Sequence, residues 1–208
     1  MKNNENVETV DKSKHAKLRV KLNPDLAHAK ELNLVAITLG ELSACTCNFP
    51  IVFIQNPNSK NFFPIAMFGL RAGENVYYGK DGWESSYMPM LVQREPFLIG
   101  FDDRKEDSTD VTTCLDMKSP YLSEVEGIAM FTPDGEETDY LKSRHQMLAA
   151  IFEGEKVTAR YCAKLAELNL LSPLELVIQP QDGELRRITG IYSIDERKLK
   201  ELTPEQVN

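Results

Sequence analysis

The longest periodic segment of the chain spans residues 138–168 and reads TDYLKSRHQMLAAIFEGEKVTARYCAKLAEL. Apolar residues recur in it at intervals of three or four, among them Leu141, Leu148, Ile151 and Leu165. That spacing gives a helix one apolar face that can pack against a core. The segment therefore predicts a long helical region at about 138–168, either as one helix or as two that meet at Gly154, because an interior glycine costs ~1 kcal/mol relative to alanine.

The segment that follows has the pattern of a β-hairpin. Residues 174–179 and 185–194 are rich in apolar and β-branched side chains, and they flank the sequence Pro-Gln-Asp-Gly-Glu at 180–184. Proline, aspartate and glycine are typical of turns between antiparallel strands. We therefore predict a C-terminal hairpin directly after the helical region.

The first half of the chain favours short strands. Residues 49–54 and 62–70 are apolar runs separated by Asn56-Pro57-Asn58-Ser59, and glycines punctuate the stretch that follows them. Strands in the first half, then a long helical region and then a hairpin, favour an α+β fold with an antiparallel-rich mixed sheet over the regular alternation of a doubly wound sheet.

Length and charge restrict the domain organisation. A chain of 208 residues fits one hydrophobic core, so we predict a single domain over residues 17–208. Residues 1–16 carry no periodic apolar pattern and predict a disordered N-terminal arm. The four cysteines are few and irregularly spaced, so no disulfide framework is needed.

Composition also limits the classes of partner that the protein is expected to bind. A net charge of -8 and a pI near 5.0 disfavour nucleic acid as a partner. No apolar run approaches the ~20 residues of a membrane-spanning helix, and the polar N-terminus lacks the apolar core of a secretory signal. We therefore expect a cytoplasmic protein with no membrane span.

The stretch from residue 71 to residue 94 has the composition of a recognition surface. Aromatic and arginine side chains dominate binding hot spots, because they combine a large apolar area with a directional polar group. The predicted binding residues are Arg71, Glu74, Asn75, Trp83, Tyr87 and Arg94. The alternative is structural, with an ion pair such as Arg71 with Glu74 holding a loop over a buried tryptophan.

Signals for catalysis and for cofactors are weak. Cys45 and Cys47 are one residue apart, whereas zinc and redox sites usually have two intervening residues, and His28 and His145 are distant partners. The acidic run at 102–110 lacks the glycine and the terminal glutamate of a calcium loop. No nucleophile elbow, phosphate loop or dinucleotide fingerprint is present. We therefore predict no cofactor, no metal and no catalytic residues.

Several short phrases resemble the SapC family of bacteria. They are FPIVF at 49–53, GLRAGEN at 69–75, REPF at 94–97, LD at 115–116 and GIY at 190–192, together with Trp83, Tyr87 and Pro89. The resemblance covers nearly all of the chain after the N-terminal arm. It identifies the domain over 17–208 as SapC-like.

The resemblance implies an accessory role without implying a reaction. The family takes its name from a protein associated with a bacterial surface layer, and similar proteins tend to be encoded near outer-membrane receptors and flavin-dependent halogenase-like enzymes. We therefore expect a noncatalytic adaptor with a protein or peptide partner, compatible with a small homo-oligomer. Two alternatives stay open: a metal-dependent enzyme that uses Cys45, Cys47 and a histidine, and a surface-layer assembly component.

Overall fold

The computed structural model of the chain describes residues 6–22, 26–101, 111–179, 183 and 185–207. The acidic run at 102–110 and most of the predicted turn at 180–184 lie outside these residues. The described part confirms the predicted fold class, since it combines several antiparallel sheets with one long helix and a C-terminal pair of strands.

The strands are β1 (Val7–Thr9), β2 (Arg19–Val20), β3 (Leu34–Ala36), β4 (Ile51–Gln55), β5 (Phe62–Met67), β6 (Tyr78–Gly79), β7 (Gly82–Trp83), β8 (Phe97–Phe101), β9 (Val111–Asp116), β10 (Leu122–Ser123), β11 (Ile128–Ala129), β12 (Leu171–Ile178) and β13 (Arg186–Ile194). The helices are α1 (Lys12–His15), α2 (Leu42–Thr46), α3 (Met90–Gln93), α4 (Asp139–Glu167), α5 (Glu196–Lys200) and α6 (Pro204–Val207). Short 3-10 helices lie at Ala27–Ala29 and Leu39–Glu41.

The chain divides into two compact units. The first unit comprises Met1–Ala27, Lys80–Trp83 and Met90–Glu153, and the second comprises His28–Gly79, Glu84–Pro89 and Gly154–Asn208. The single domain predicted over residues 17–208 stays a prediction.

The first unit contains two small antiparallel sheets. One has the strand order β1-β9-β8 and the other has the order β10-β2-β11. Their core is a cluster of buried residues that also includes the apolar face of the first half of α4, through Leu141, Leu148 and Ile151. The helical periodicity of the sequence therefore marks the residues that enter this core.

The described part of the N-terminal segment, residues 6–16, contains a strand and a helix where the sequence predicts a disordered arm over residues 1–16. Strand β1 pairs with β9, with Val7 opposite Asp116 and Thr9 opposite Cys114. Helix α1 follows, with the Asp11 carboxylate capping it by accepting a hydrogen bond from the Ser13 amide at 2.7 Å. Pairing with β9 orders this strand. Because β9 is about a hundred residues away in the sequence, no local pattern reveals the pairing.

The second unit is built on a five-stranded sheet with the order β12-β13-β4-β5-β3, whose pairs are antiparallel. Strands β12 and β13 form the predicted C-terminal hairpin. On one face of the sheet, Phe53 packs with Cys162 and Leu165 of α4. On the other face lies a second apolar cluster, which includes Val52 and Ile65.

Helix α4 confirms the long helical region and runs without interruption through Gly154. Gly154 fits there because a side chain would meet Thr38: a Cβ at residue 154 would lie 2.9 Å from the Thr38 Cγ2 atom. One turn later the Thr158 hydroxyl accepts a hydrogen bond from the Leu39 amide at 2.7 Å. Within the described residues, no helix is both long enough and apolar enough to cross a bilayer.

Candidate functional site

A loop of the second unit, residues 69–79, follows β5 and is held in one conformation by its own carboxylate. Oε2 of Glu74 accepts hydrogen bonds from the backbone amides of Leu70 at 3.0 Å and Arg71 at 3.2 Å. Gly69 permits this closed turn, because a Cβ at residue 69 would overlap the carbonyl oxygen of Glu74. Residues 69–71 at the start of the turn are therefore held against Glu74 at its end.

The other half of the loop is anchored by Asn75. Its side chain is buried and donates through Nδ2 to the Ala29 carbonyl at 2.7 Å, while its Oδ1 accepts from the Tyr77 amide at 2.9 Å. The next amide, that of Val76, donates to the Phe68 carbonyl at 2.8 Å. These bonds satisfy a buried amide side chain and hold Val76 and Tyr77 in place.

An open cleft lies between this loop and the sheet, and we call it the apolar groove. It has a volume of about 220 Å³. Its lining is dominated by apolar and aromatic side chains from the end of β5 and the residue after it, from the loop, from the hairpin and from the residue before β4: Pro50, Met67, Phe68, Gly69, Leu70, Val76, Tyr77 and Leu176. The shape and the composition are those of a site for an apolar side chain.

The groove has a rigid floor and an exposed rim. Phe68 is 0% exposed and packs against Phe49, with ring centroids 5.0 Å apart; the Tyr77 ring meets Phe49 edge-on at 4.8 Å. On the rim, Leu70 is 41% exposed and Val76 is 66% exposed. Buried aromatic rings therefore support side chains that solvent reaches.

The groove borders a larger apolar surface of the five-stranded sheet. Met67 belongs both to the groove and to the cluster that contains Val52, Ile65 and Ile191. Leu176 of β12 lines the groove and packs against the same cluster. A ligand in the groove would therefore lie beside further half-buried apolar side chains.

Three of the predicted binding residues lie in the loop. Arg71 is exposed, Glu74 is half-buried and Asn75 is buried. The structural alternative of an Arg71 with Glu74 ion pair takes a different form, because the Glu74 carboxylate binds the backbone amides at residues 70 and 71. Glu74 and Asn75 therefore shape the loop, and the Arg71 side chain is presented to solvent.

Tyr87 lies elsewhere in the second unit and has a partner of its own. Its hydroxyl donates to Oε1 of Glu41 at 3.1 Å. Oε2 of the buried Glu41 accepts from the amide and the hydroxyl of Thr38, both at 3.0 Å. Burial, followed by the negative charge of Glu41, raises the pKa of Tyr87, so the phenol stays protonated and donates.

The remaining predicted binding residues, Trp83 and Arg94, belong to the first unit. Trp83 is half-buried in β7, and Arg94 is half-buried directly after α3. The Arg94 Nε atom is buried without a hydrogen-bond partner among the described residues. The joint docking face predicted from these two residues and the loop stays a prediction.

The alternative metal site at Cys45 and Cys47 has an arrangement unfavourable for a metal. Cys45 is 0% exposed and Cys47 is exposed, both on or beside α2. Burial, followed by the charge of Glu41, raises the pKa of Cys45 to about 12, which disfavours the thiolate that binds metals. In the described part of the chain, no group of three histidine, cysteine or acidic residues is placed to hold an ion.

Several groove residues carry no signal in the sequence. Val76 lies inside the predicted stretch at 71–94 and Leu70 directly precedes it, but as isolated apolar residues they carry no motif. Leu176 joins them from about a hundred residues away. The signal that pointed to the region was its aromatic and arginine residues in a stretch broken by glycines, and Gly69 marks the close turn next to it.

Of three comparisons with known proteins, one finds a match, and it is to a protein family. Neither the curated proteins nor the solved structures contain a match to the chain. The family model described as SapC matches residues 10–208, which is nearly the whole chain and includes the loop and the groove. The protein therefore belongs to the SapC family.

Proposed function

We propose that this SapC-family protein is a binding protein, and that its apolar groove takes an apolar side chain from a protein or peptide partner without catalysing a reaction there. The observation that carries the proposal is the exposed rim of Leu70 and Val76 above a buried aromatic floor. Burying such side chains contributes about 25 cal/mol per Å² of apolar surface. The gain is available only to a partner that fills the groove.

The fixed loop supports this proposal because it lowers the cost of binding. Ordering a side chain or a loop on binding costs about 0.5–1.5 kcal/mol per immobilised side chain. Here Glu74 and Asn75 already hold the loop by hydrogen bonds, and the floor is closed by ring packing. The groove is therefore formed before the partner arrives.

Arg71 supports recognition of a peptide or protein in particular. Its side chain is exposed on the same loop as Leu70, so an apolar contact and a guanidinium are adjacent. This pairing of residue types is frequent at binding hot spots. A partner that offers an apolar anchor with a carboxylate or a carbonyl beside it would use both.

The proposal is tested with seven-residue peptides that carry one leucine, phenylalanine or tryptophan in a glycine and serine background. We expect the backbone NMR signals of Leu70, Val76 and Tyr77 to shift on titration with at least one peptide. Val76→Asp places a charge on the rim and should weaken this peptide at least about tenfold, which corresponds to ~1.4 kcal/mol.

Val177→Asp is the matched control. Val177 is 52% exposed in the same unit, on the strand that carries Leu176, but it is adjacent to that residue and so points to the opposite face. Equal weakening by both variants, or shifts that map away from the loop, would overturn the proposal. Trp83→Ala and Arg94→Ala in the same assay test the predicted contribution of those residues separately.

A further inference from the structure

The first unit contains a cleft of a different kind. It has a volume of about 490 Å³ and is lined mainly by polar and charged groups, which include Lys12, Thr113, Glu137, Lys142 and His145. Three of these residues lie side by side in the cleft: Thr113 supplies a hydroxyl, His145 an imidazole and Glu137 a carboxylate. The proposed binding function does not use them.

The hydroxyl and the imidazole are in direct contact. Oγ1 of Thr113 lies 2.5 Å from Nδ1 of His145. When the ring is neutral and the hydroxyl donates to Nδ1, the ring proton is on Nε2. Thr113 is 8% exposed, and the surface that it retains lines the cleft.

The carboxylate lies on the other side of the imidazole. Oε1 of Glu137 is 3.4 Å from His145 Nε2, and Nε2 is buried with no well-aligned hydrogen bond among the described residues. The contact is therefore an electrostatic one at a distance that a small movement would convert into a hydrogen bond. A hydroxyl, a base and an orienting acid in this order are the parts of an activated nucleophile.

Each part is carried by a fixed element. Thr113 is in the central strand of a sheet, where β9 pairs with β8 on one side and β1 on the other, and its carbonyl accepts from the Val10 amide at 2.9 Å. His145 is in the second turn of α4. Glu137 is bridged to Phe131 across a turn.

We propose that Thr113 is a nucleophile activated by His145, and that the cleft hydrolyses esters of small carboxylic acids through an acyl-threonine. Thr113 Oγ1 bonds to the ester carbonyl carbon as its proton passes to His145 Nδ1. The carbon to oxygen bond of the ester breaks, and the leaving alcohol takes that proton. Water then attacks the acyl group, His145 removes its proton and returns it to Thr113, and the acid is released.

The charges around the imidazole suit this reaction. Glu137 stabilises the imidazolium that forms when the proton is transferred, which is the role of the acid in such triads. Lys12 of α1 and Lys142 of α4 also line the cleft and supply positive charge that can stabilise a developing oxyanion, and Glu136 adds a second carboxylate to the lining. Lys142 is only partly engaged, at 3.8 Å from exposed Asp139.

The first test uses a biotin-tagged fluorophosphonate, which transfers its phosphonyl group to activated hydroxyls with loss of fluoride. We expect mass spectrometry to place the label on Thr113. Thr113→Val, which keeps the side-chain shape, should abolish labelling, and Thr113→Ser should retain it. A label on another residue, or none on Thr113, overturns the proposal.

The second test separates catalysis from a bond that merely ties α4 to β9. Turnover of p-nitrophenyl acetate should fall at least about 100-fold in His145→Gln and about tenfold or more in Glu137→Gln, while the thermal midpoint changes little. A rate that is unchanged in His145→Gln contradicts the proposal.

Two controls complete the design. Thr112→Val changes a neighbouring hydroxyl on the same cleft, and His28→Gln removes a histidine of the second unit, which accounts for hydrolysis by any accessible imidazole. Neither substitution should change the labelling of Thr113. If Thr113→Val fails to fold, the pair Glu137→Gln and Thr113→Ser still decides the outcome.

Discussion

The two units place functional side chains by opposite means. The groove of the second unit is apolar, and its shape depends on ring packing and on a loop held by Glu74 and Asn75. The cleft of the first unit is polar, and its character depends on the hydrogen bond between Thr113 and His145 and on the nearby Glu137 carboxylate. The comparison teaches that the apolar site depends on the packing of the core beneath it, whereas the polar site depends on the distances between a few hydrogen-bonding and charged groups.

Among the variants that test this comparison, the largest loss in the free energy of unfolding is expected at the groove floor. Phe68→Ala removes a ring that is 0% exposed and should lower the free energy of unfolding by about 3–5 kcal/mol, measured by urea denaturation. Val125→Ala, at a residue of the first unit that is 87% exposed, should change it by less than about 0.5 kcal/mol. A loss below about 1 kcal/mol for Phe68→Ala would mean that the floor is not rigid.

The next effect concerns the loop backbone. Gly69→Ala should cost about 1–3 kcal/mol, because the added methyl group overlaps the carbonyl of Glu74 and the turn must open. The same variant should weaken the peptides that bind the groove. Gly40→Ala is the matched control, since a Cβ there would lie 3.9 Å from Thr38 Oγ1 in ordinary contact. Equal stability of the two variants would break the link between loop and groove.

A smaller effect distinguishes the two histidines of the first unit. His15 is buried, and its Nδ1 accepts a hydrogen bond from the Asp11 amide at 3.0 Å. His15→Ala leaves that amide without its acceptor and should cost about 1 kcal/mol. His145→Gln should cost less, because glutamine keeps a hydrogen-bonding group beside the Thr113 hydroxyl and the residue is half-exposed in the cleft. A larger loss for His145→Gln would make the imidazole a structural group.

The smallest effect is a pH dependence of the second unit. Burial raises the pKa of Cys45 to about 12, with a further contribution from Glu41, and burial raises the pKa of Cys162 to about 11. Unfolded thiols ionise near pH 9.0, so above that pH the unfolded chain binds fewer protons than the folded one. The stability that the two thiols contribute is full below pH 9 and falls as the pH rises towards 12.

Urea denaturation at pH 8 and at pH 10 measures this dependence. The double variant Cys45→Ala and Cys162→Ala should lose less stability between the two pH values than the wild-type protein. Cys47→Ala should behave as the wild-type protein, because Cys47 is exposed. An identical pH dependence in the double variant would show that the buried thiols already ionise when folded.

Local patterns predicted the elements whose cause is local. The helical period from Leu141 to Leu165 predicted α4, and the turn residues at 180–184 predicted the hairpin of β12 and β13. The same reasoning missed β1, because its pairing partner is Cys114 and its neighbours rather than an adjacent strand. Periodicity reports which face of a segment is apolar, and it carries no information about which distant segment covers that face.

The sites follow the same division. Glycine and aromatic composition pointed to the region of Arg71, Glu74 and Asn75, but Leu176 reached the groove only through the fold. Thr113 and His145 are separated by 32 residues, and His145 had no nucleophile beside it in the sequence. A hydroxyl can be identified as a candidate nucleophile only when a base lies within hydrogen-bond distance of it, and spacing in the sequence does not fix that distance.

By itself the sequence determined an acidic α+β protein, its long helix, its C-terminal hairpin and its family. Those properties depend on net charge, on the apolar period and on turn chemistry, which neighbouring residues set. The tertiary structure alone decided which side chains share the apolar groove and which share the polar cleft. Both sites join residues brought together by strand pairing and core packing, and these long-range contacts are chosen by the free energy of the whole fold.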